Sequence, residues 1–128
     1  MEIEELVPQL RTTDLERAIR FYTEQLGFAL SFRYQDFYAG VRCGDRMIHL
    51  KLVEDSDPSI DFVRSGQHLH IHFAVRDIKA AFRQVQEASV KIVEGVSNRP
   101  WGTTEFVIED PDGHTLYFGT ASADTPRQ

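Results

Sequence analysis

Histidines at alternate positions are the first residues of this chain whose type and spacing suggest chemistry. His68, His70 and His72 occupy every second position of one segment, and His49 lies in an earlier one. Imidazole nitrogen is a common metal ligand, so a divalent metal site is one hypothesis. Side chains on one face of a strand stand about 7 Å apart, however, and rarely converge on one ion. The spacing therefore favours cleft-lining or exposed polar roles for His68 and His72.

Trp101 is the second candidate, as a platform on which a ligand could stack. It is the single tryptophan of the chain and lies between Pro100 and Gly102, at a loop end where a large ring is difficult to bury in a small core. Aromatic stacking adds about 0.5 to 1.5 kcal/mol beyond the burial of apolar area. The alternative is that Trp101 caps the sheet edge or fills the seam of a dimer.

Two more aromatic residues and three carboxylates are candidates for the same site. Strand alternation allows only one of Phe37 and Tyr38 to face a cleft, and we expect the other to pack in the core. Asp36, Glu105 and Glu109 could attract a cation, and a formal net charge of −6 favours the same kind of ligand. The alternative for Asp36 and Glu109 is an ordinary solvated turn or surface charge.

Composition narrows the class of partner and the location. The 14 Lys and Arg residues are outnumbered by 20 Asp and Glu residues and form no run, so nucleic acid and anionic membranes are not expected partners. Cys43 is the only cysteine, so we expect no intrachain disulfide and a cytoplasmic location. The sequence has no Ser-His-Asp order, nucleophile elbow, P-loop or dinucleotide-binding glycine pattern, and no apolar stretch long enough to cross a bilayer.

A hairpin over residues 100–120 must position Trp101 and Glu105. Its turn is Asp110–Gly113, where the order Asp-Pro-Asp-Gly places each residue where turn geometry favours it. Apolar and polar residues alternate on both sides of the turn. This pattern predicts two strands with one face packed on a core and the other free to meet a ligand.

The remaining elements occur twice in the same order, which predicts two βαβββ modules at about residues 4–53 and 67–120. Asp14 and Asp77 each begin an amphipathic pattern, and TDLERAIRFY aligns with RDIKAAFRQV. Residues 1–120 are expected to form a single domain, followed by a polar tail at 121–128. The predicted elements are strand Glu4–Thr13, a helix from Asp14 to Gly27, strands Phe28–Tyr34, Phe37–Cys43 and Met47–Leu52, the loop Val53–Gly66, strand His68–Val75, helix Asp77–Ala88, strand Val90–Val93 and the closing hairpin.

Strand parity assigns the two faces of the predicted sheet. In the strand His68–Val75, one face should pack on a helix and the other should line a concavity. The helix side takes Leu69, Ile71, Phe73 and Val75, and the concave side takes His68, His70, His72 and Ala74. Other strands should add Val7, Gln9, Arg11, Met47, His49, Lys51, Thr115 and Tyr117 to the concave side.

These motifs, in this order, resemble the vicinal oxygen chelate superfamily, which includes glyoxalase I, extradiol dioxygenases, fosfomycin-modifying enzymes and the bleomycin resistance proteins. The resemblance is carried by DLERAIRFYTEQLGF, HIHFAVRDI and PWGTTEFVIEDPDGHTLYFGT, and it extends from about Leu6 to Phe118. It implies an α+β fold in which two βαβββ modules form a curved mixed sheet with helices on the outer face. It also implies a homodimer.

The resemblance further implies where enzymes of this superfamily would bind a divalent metal. The corresponding positions are Val7, His49, His70 and Tyr117. Valine cannot ligate, and Tyr117 stands where metal-dependent members carry Glu. The remaining pair of neutral histidines lacks the carboxylate that holds and tunes the ion. We therefore expect no cofactor and no catalytic residues, with a metal at His49 and His70 as the alternative.

Two local segments resemble the bleomycin resistance type: DFYAGVRCGDRMIHL, and PWG ahead of a Glu-Phe pair. Members of that type bind a flat cationic glycopeptide at a dimer interface without modifying it. The resemblance implies antibiotic resistance by antibiotic binding, in which a dimeric, metal-free protein sequesters a small aromatic, cationic ligand of the bleomycin type rather than catalysing a reaction. The alternatives are a metal-dependent lyase, isomerase or dioxygenase, and a binding protein for an unrelated metabolite. The expected ligand-binding residues are Trp101, Phe37, Tyr38, Asp36, His49, His70, His72, Glu105 and Tyr117.

Overall fold

A computed structural model describes residues 1–121 of the chain. Within these residues the fold is α+β, with the order βαβββ occurring twice and a short helix between the two modules. None of the described helices is long and apolar enough to cross a membrane. The elements are β1 Gln9–Thr12, α1 Leu15–Arg20, β2 Ala29–Tyr34, β3 Tyr38–Cys43, β4 Arg46–Leu52, α2 Pro58–Arg64, β5 Ile71–Ala74, α3 Ile78–Glu87, β6 Lys91–Asn98, β7 Thr103–Glu109 and β8 Thr115–Ala121.

Each module forms its own four-stranded mixed sheet, and the two sheets have the same topology. The strand order is β1-β4-β3-β2 in the first and β5-β8-β7-β6 in the second. The first strand of each module pairs in parallel with the last, and the other pairs are antiparallel. The predicted α+β fold of two βαβββ modules is confirmed.

The major helix of each module begins where an aspartate caps it. The Asp14 carboxylate accepts a hydrogen bond from the Arg17 amide at 3.0 Å, and Asp77 caps Ala80 at the same distance. Each cap satisfies an amide that has no partner within the helix, which fixes where the helix begins. After α1 the chain continues through a π-helical turn, Phe21–Gln25. It then reverses at Gly27, whose φ of 78° favours glycine.

The modules share one hydrophobic core and a buried polar connection. The core cluster draws on both sheets, with Leu10 and Leu50 from the first and Phe106 and Leu116 from the second. The Tyr22 hydroxyl donates to Asp110 at 2.6 Å, so the first module is hydrogen-bonded to the hairpin turn of the second. Burial and the adjacent Asp110 raise the pKa of Tyr22 well above its usual value, which keeps this donor protonated.

The same turn binds the start of α1 through Asp112. This carboxylate accepts hydrogen bonds from the Thr12 hydroxyl at 2.6 Å and the Thr13 amide at 3.1 Å, and it forms an ion pair with Arg17 at 2.7 Å. The Asp-Pro-Asp-Gly turn thus joins the two modules as well as the two strands of its own hairpin.

One predicted element is of the wrong type. The segment Val53–Gly66 was expected to be a loop, but it contains α2, with Asp57 as the cap and Pro58 in the first turn. Ile60 and Val63, three positions apart, are buried on one side of this helix. The Asp-Pro pair followed by apolar residues at helical spacing was the available signal.

Several strand boundaries also differ from the prediction. β1 is shorter than Glu4–Thr13 because residues 1–6 are exposed and pair with no other strand. β6 extends well beyond Val90–Val93 because it follows β7 through two register shifts, which its Gly and polar residues conceal in the sequence. Ala121, placed in the polar tail, closes β8, and the rest of that tail lies outside the described residues.

The late start of β5 changes the positions of two residues. Leu69 was assigned to the helix side, but it precedes the strand and is 48% exposed. His68 was assigned to the concave side, but its ring packs 6.0 Å from that of His114. Burial is the main reason that the pKa of His68 is lowered. Strand parity failed for these two residues, which lie two or more positions before the strand, although His70, directly before it, does line the cavity.

Candidate functional site

The concave side of the second sheet contains a cavity of about 390 Å³. Five of the predicted ligand-binding residues line it, together with two residues that the sequence did not single out. The lining residues are His70, His72, Glu94, Arg99, Trp101, Glu105 and Tyr117.

Strand register brings the aromatic part of this cavity together. β5 pairs in parallel with β8 so that His72 lies opposite Tyr117. Their rings are stacked, with centroids 4.5 Å apart and an interplanar angle of 15°. His70 meets the same tyrosine edge-on at 5.7 Å. Tyr117 therefore has His72 against one face of its ring and His70 edge-on to it, and this aromatic group lines the cavity.

Arg99 connects the charged residues of the cavity. Its Nε donates to Glu105 at 3.1 Å, and its two terminal nitrogens donate to the two oxygens of Glu94 at 2.6 and 3.1 Å. Burial favours a higher pKa for Glu105, but hydrogen bonds from Thr103, Arg99 and Trp101 outweigh it and lower the pKa overall. Glu105 is therefore a carboxylate with partners inside the protein.

Trp101 is presented at the tip of the turn between β6 and β7. The Gly102 amide donates to the Arg99 carbonyl at 3.0 Å, with Pro100 at the second position of the turn and Gly102 at a φ of 99°. The Trp101 side chain is 66% exposed. Its ring centroid lies 6.0 Å from the guanidinium carbon of Arg99, within cation–π range. The turn therefore holds a large ring at the mouth of the cavity.

The concave side of the first sheet presents a different surface, made of Phe32, Tyr38, His49 and Gln9. The Phe32 and Tyr38 rings are stacked at 6.3 Å, and each meets the His49 ring edge-on at 5.3 Å. The Tyr38 hydroxyl lies 3.0 Å from His49 Nδ1 and accepts a hydrogen bond from the Gln9 amide at 3.1 Å. On this aromatic surface the Tyr38 hydroxyl, the His49 Nδ1 atom and the Gln9 amide nitrogen are hydrogen-bonded to one another.

Gly40 makes room for the Phe32 ring. It lies opposite Phe32 in the β2–β3 pairing, after a register shift between Leu30 and Phe32. A Cβ atom at position 40 would overlap the Phe32 ring. The ring can therefore lie flat on β3 only because this position has no side chain.

The predicted residues outside the cavity have separate surroundings. Tyr38 and His49 belong to the aromatic surface of the first sheet. Asp36 is paired with Arg33 at 3.0 Å. Phe37 was a candidate for core packing once Tyr38 faced the cleft, but it lies in the turn before β3 and is 44% exposed. Every residue that lines the cavity comes from the second module, so the structure does not merge the two groups into one pocket.

The sequence suggested that Asp36, Glu105 and Glu109 could attract a cation, but in the structure none of these carboxylates is unpaired. Asp36 forms an ion pair with Arg33, Glu105 forms one with Arg99, and Glu109 forms one with Lys91 at 3.2 Å. Each carboxylate therefore has a basic neighbour, which reduces its attraction for a distant cation. Sequence spacing gave no sign of these partners because strand pairing and turns create them.

The residues at the superfamily's metal positions do not fit a divalent ion in this chain. Val7 offers no donor, and His49 Nδ1 faces the Tyr38 hydroxyl, which leaves Nε2 as the one available ligand atom of that residue. Among residues 1–121 there is no group of three or more His, Cys, Asp or Glu side chains that could hold a metal. Two imidazoles on separate sheets provide neither the number of ligands nor the negative charge that such sites use.

Sequence reasoning missed Phe32, Gly40, Glu94 and Arg99. The shift in register within β2 obscures the face to which Phe32 points, although a glycine in the neighbouring strand was a signal of a close approach. Glu94 and Arg99 lie in the part of β6 and its turn that was not predicted as strand. Their position in the cavity depends on the full length of β6, which extends to Asn98.

The fold is shared with known proteins. The Glyoxalase/Bleomycin resistance protein/Dioxygenase superfamily profile matches residues 3–118, and the chain belongs to this superfamily. A lactoylglutathione lyase of Haemophilus influenzae is 27% identical over 118 residues, covering 85% of this chain and 86% of that protein. The predicted superfamily is therefore confirmed.

Solved structures extend the comparison. The bleomycin-binding protein of bleomycin-producing Streptomyces verticillus, complexed with copper(II)-bleomycin, is 25% identical with a TM-score of 0.73, over 95% of this chain and 98% of that one. A lactoylglutathione lyase of Agrobacterium tumefaciens is 19% identical with a TM-score of 0.70, over 90% and 91%. At that identity the second likeness supports the fold alone. A binding protein and an enzyme thus share this architecture.

Proposed function

We propose that the protein sequesters a small, flat aromatic ligand without changing it chemically, as a metal-free, cytoplasmic homodimer of the bleomycin resistance type. The observation that carries this proposal is the cavity in which the stacked His72 and Tyr117 rings and the exposed Trp101 line the same space. Planar surfaces of this kind bind planar heteroaromatic groups by stacking. A protein of this kind would confer antibiotic resistance by binding the antibiotic.

The charge of the cavity supports a cationic ligand. Glu94 and Glu105 carry two negative charges and Arg99 one positive charge, so with neutral histidines the lining carries one excess negative charge. Together with a net charge of −6 for the chain, this favours cations and disfavours anions. The preference comes from the sum over the cavity rather than from a single free carboxylate.

The separation of the two concave surfaces supports a dimer. Phe32 on the aromatic surface is 40% exposed and Trp101 in the cavity is 66% exposed, so neither surface encloses a ligand by itself. A second copy of the chain could place its aromatic surface opposite the cavity and complete a cleft. Burial of a ligand between two walls gives tighter binding than stacking on one exposed face.

A second candidate function is a metal-dependent lyase, isomerase or dioxygenase, with the metal at His49 and His70. The 27% identity to a lactoylglutathione lyase favours it. Elemental analysis of protein purified without chelator separates the two functions. About one equivalent of a divalent transition metal per chain, released by His70→Ala, would contradict the first proposal and favour the metal-dependent enzyme.

Titration with metal-free bleomycin tests the first proposal directly. We expect saturable binding to the wild type, a loss of about tenfold or more in Trp101→Ala, and recovery of unmodified bleomycin by mass spectrometry. Phe62→Ala is a matched control, because Phe62 is also an exposed aromatic residue, 54% exposed, but lies on α2 away from the cavity. Equal binding by Trp101→Ala and the wild type would show that the site is wrong.

A further inference from the structure

Arg99 is the arginine that lines the cavity of the second module. An arginine in a ligand pocket is ordinarily a candidate anchor for a carboxylate or phosphate, because its planar fork matches both groups. Its side chain here is only 18% exposed. Arg99 could anchor such a ligand only if its N–H donors were available to it.

The donors of Arg99 are directed to the protein itself. Three of its nitrogen atoms donate to carboxylate oxygens, one to Glu105 and two to Glu94. The contact with Glu94 is bidentate, the geometry that holds a guanidinium most firmly. These contacts use three of the five N–H donors, and two carboxylates already outweigh the charge of one guanidinium, so a further anion would be repelled by the excess negative charge.

Arg99 also supports the ring at the mouth of the cavity. Its backbone closes the turn that carries Trp101, through the Gly102 hydrogen bond and a second one from its own amide to the Thr103 carbonyl at 2.7 Å. The guanidinium carbon lies 6.0 Å from the Trp101 ring centroid. The ring is thus attached to a network with Arg99 at its centre.

We infer that Arg99 is a positioning residue for Trp101 and an internal counter-ion, not an anchor for anions. The cavity therefore selects cationic or neutral planar aromatic ligands over anionic ones. This inference rests on the proposed function for its ligand, but the positioning of Trp101 can be measured without one.

Fluorescence anisotropy tests the positioning role, because Trp101 is the single tryptophan of the chain. Arg99→Lys keeps the charge but loses the bidentate fork, so we expect lower anisotropy and faster acrylamide quenching of Trp101. Arg83→Lys, at an exposed position of α3, is the matched control and should match the wild type. Unchanged anisotropy and quenching in Arg99→Lys would overturn the positioning role.

Two pyrene probes of opposite charge test the selectivity. We expect wild-type protein to bind pyrenemethylammonium about tenfold more tightly than pyrenesulfonate, since the two probes share the pyrene ring and their substituents carry opposite charge. Arg99→Lys should weaken binding of the cation about threefold or more without creating affinity for the anion. Preferred binding of pyrenesulfonate that is lost in Arg99→Lys would overturn the inference and make Arg99 an anion anchor.

A failure of the proposed function can be distinguished from a failure of the positioning role of Arg99. If neither probe binds the wild type, the proposed function fails for planar aromatic ligands and the inferred charge selectivity fails with it. The anisotropy of Trp101 then still decides whether Arg99 positions the ring.

Discussion

The two modules have the same strand order but present different surfaces on their concave sides. In the first, Phe32, Tyr38 and His49 form an aromatic surface on which the Tyr38 hydroxyl pairs with His49 Nδ1. In the second, aromatic rings share a cavity with a guanidinium and two carboxylates. The duplicated topology thus fixes where side chains point, while the residues at those points decide whether a surface offers stacking alone or stacking with charge selection.

In the interior, by contrast, the two modules share one core and are hydrogen-bonded to each other. Asp110 accepts hydrogen bonds from the amides of Asp112, Gly113 and His114 and from the Tyr22 hydroxyl of the other module. Burial raises the pKa of Asp110, although His114, the Tyr22 hydroxyl and the backbone amides act in the opposite direction. Asp110 therefore stabilises both its own turn and the contact between the modules.

The largest expected effect comes from breaking that connection. Asp110→Ala leaves buried donors without partners, so we expect the free energy of unfolding to fall by about 3 to 5 kcal/mol in urea titrations. Tyr22→Phe removes only the hydrogen bond between Tyr22 and Asp110 and should cost about 1 kcal/mol. A loss of under 1 kcal/mol in Asp110→Ala would show that Asp110 does not stabilise the contact between the modules.

The aromatic surface of the first module depends on Gly40. In Gly40→Ala the new methyl group must displace the Phe32 ring, so we expect a loss of about 1 to 3 kcal/mol in stability. The matched control is Gly95→Ala, at a strand glycine of the second module where a Cβ meets nothing within 4 Å. That change should stay within about 0.5 kcal/mol. Equal effects of the two substitutions would contradict the special role of Gly40.

The charged network of the second module predicts a smaller, pH-dependent effect. The folded-state pKa of Glu105 is lowered, so its contribution to stability is complete above its unfolded pKa of about 4.3 and is lost as pH falls through the folded value. Glu105→Gln should remove that part of the acid dependence, so stability should fall less between pH 6 and pH 3 than in the wild type. An identical acid dependence in both proteins, measured by urea unfolding at each pH, would contradict this account.

The sequence was most informative where local chemistry decides the structure. The caps at Asp14 and Asp77 and the turn Asp110–Gly113 could be predicted because each acts on its immediate neighbours. The partners of Glu105 could not, since Arg99 approaches it only through the hairpin between β6 and β7. The register shift that places Phe32 over Gly40 is likewise a property of paired strands and leaves no periodic trace in one of them.

Mixing two damaged variants tests most directly whether the aromatic surface of one copy and the cavity of another bind one ligand together. Phe32→Ala damages the first surface and Trp101→Ala the second, so each homodimer should bind metal-free bleomycin weakly. A heterodimer isolated with two affinity tags would contain one site with both walls intact. We expect near wild-type affinity at half the wild-type stoichiometry. Binding by the heterodimer as weak as that of both parent variants would contradict it.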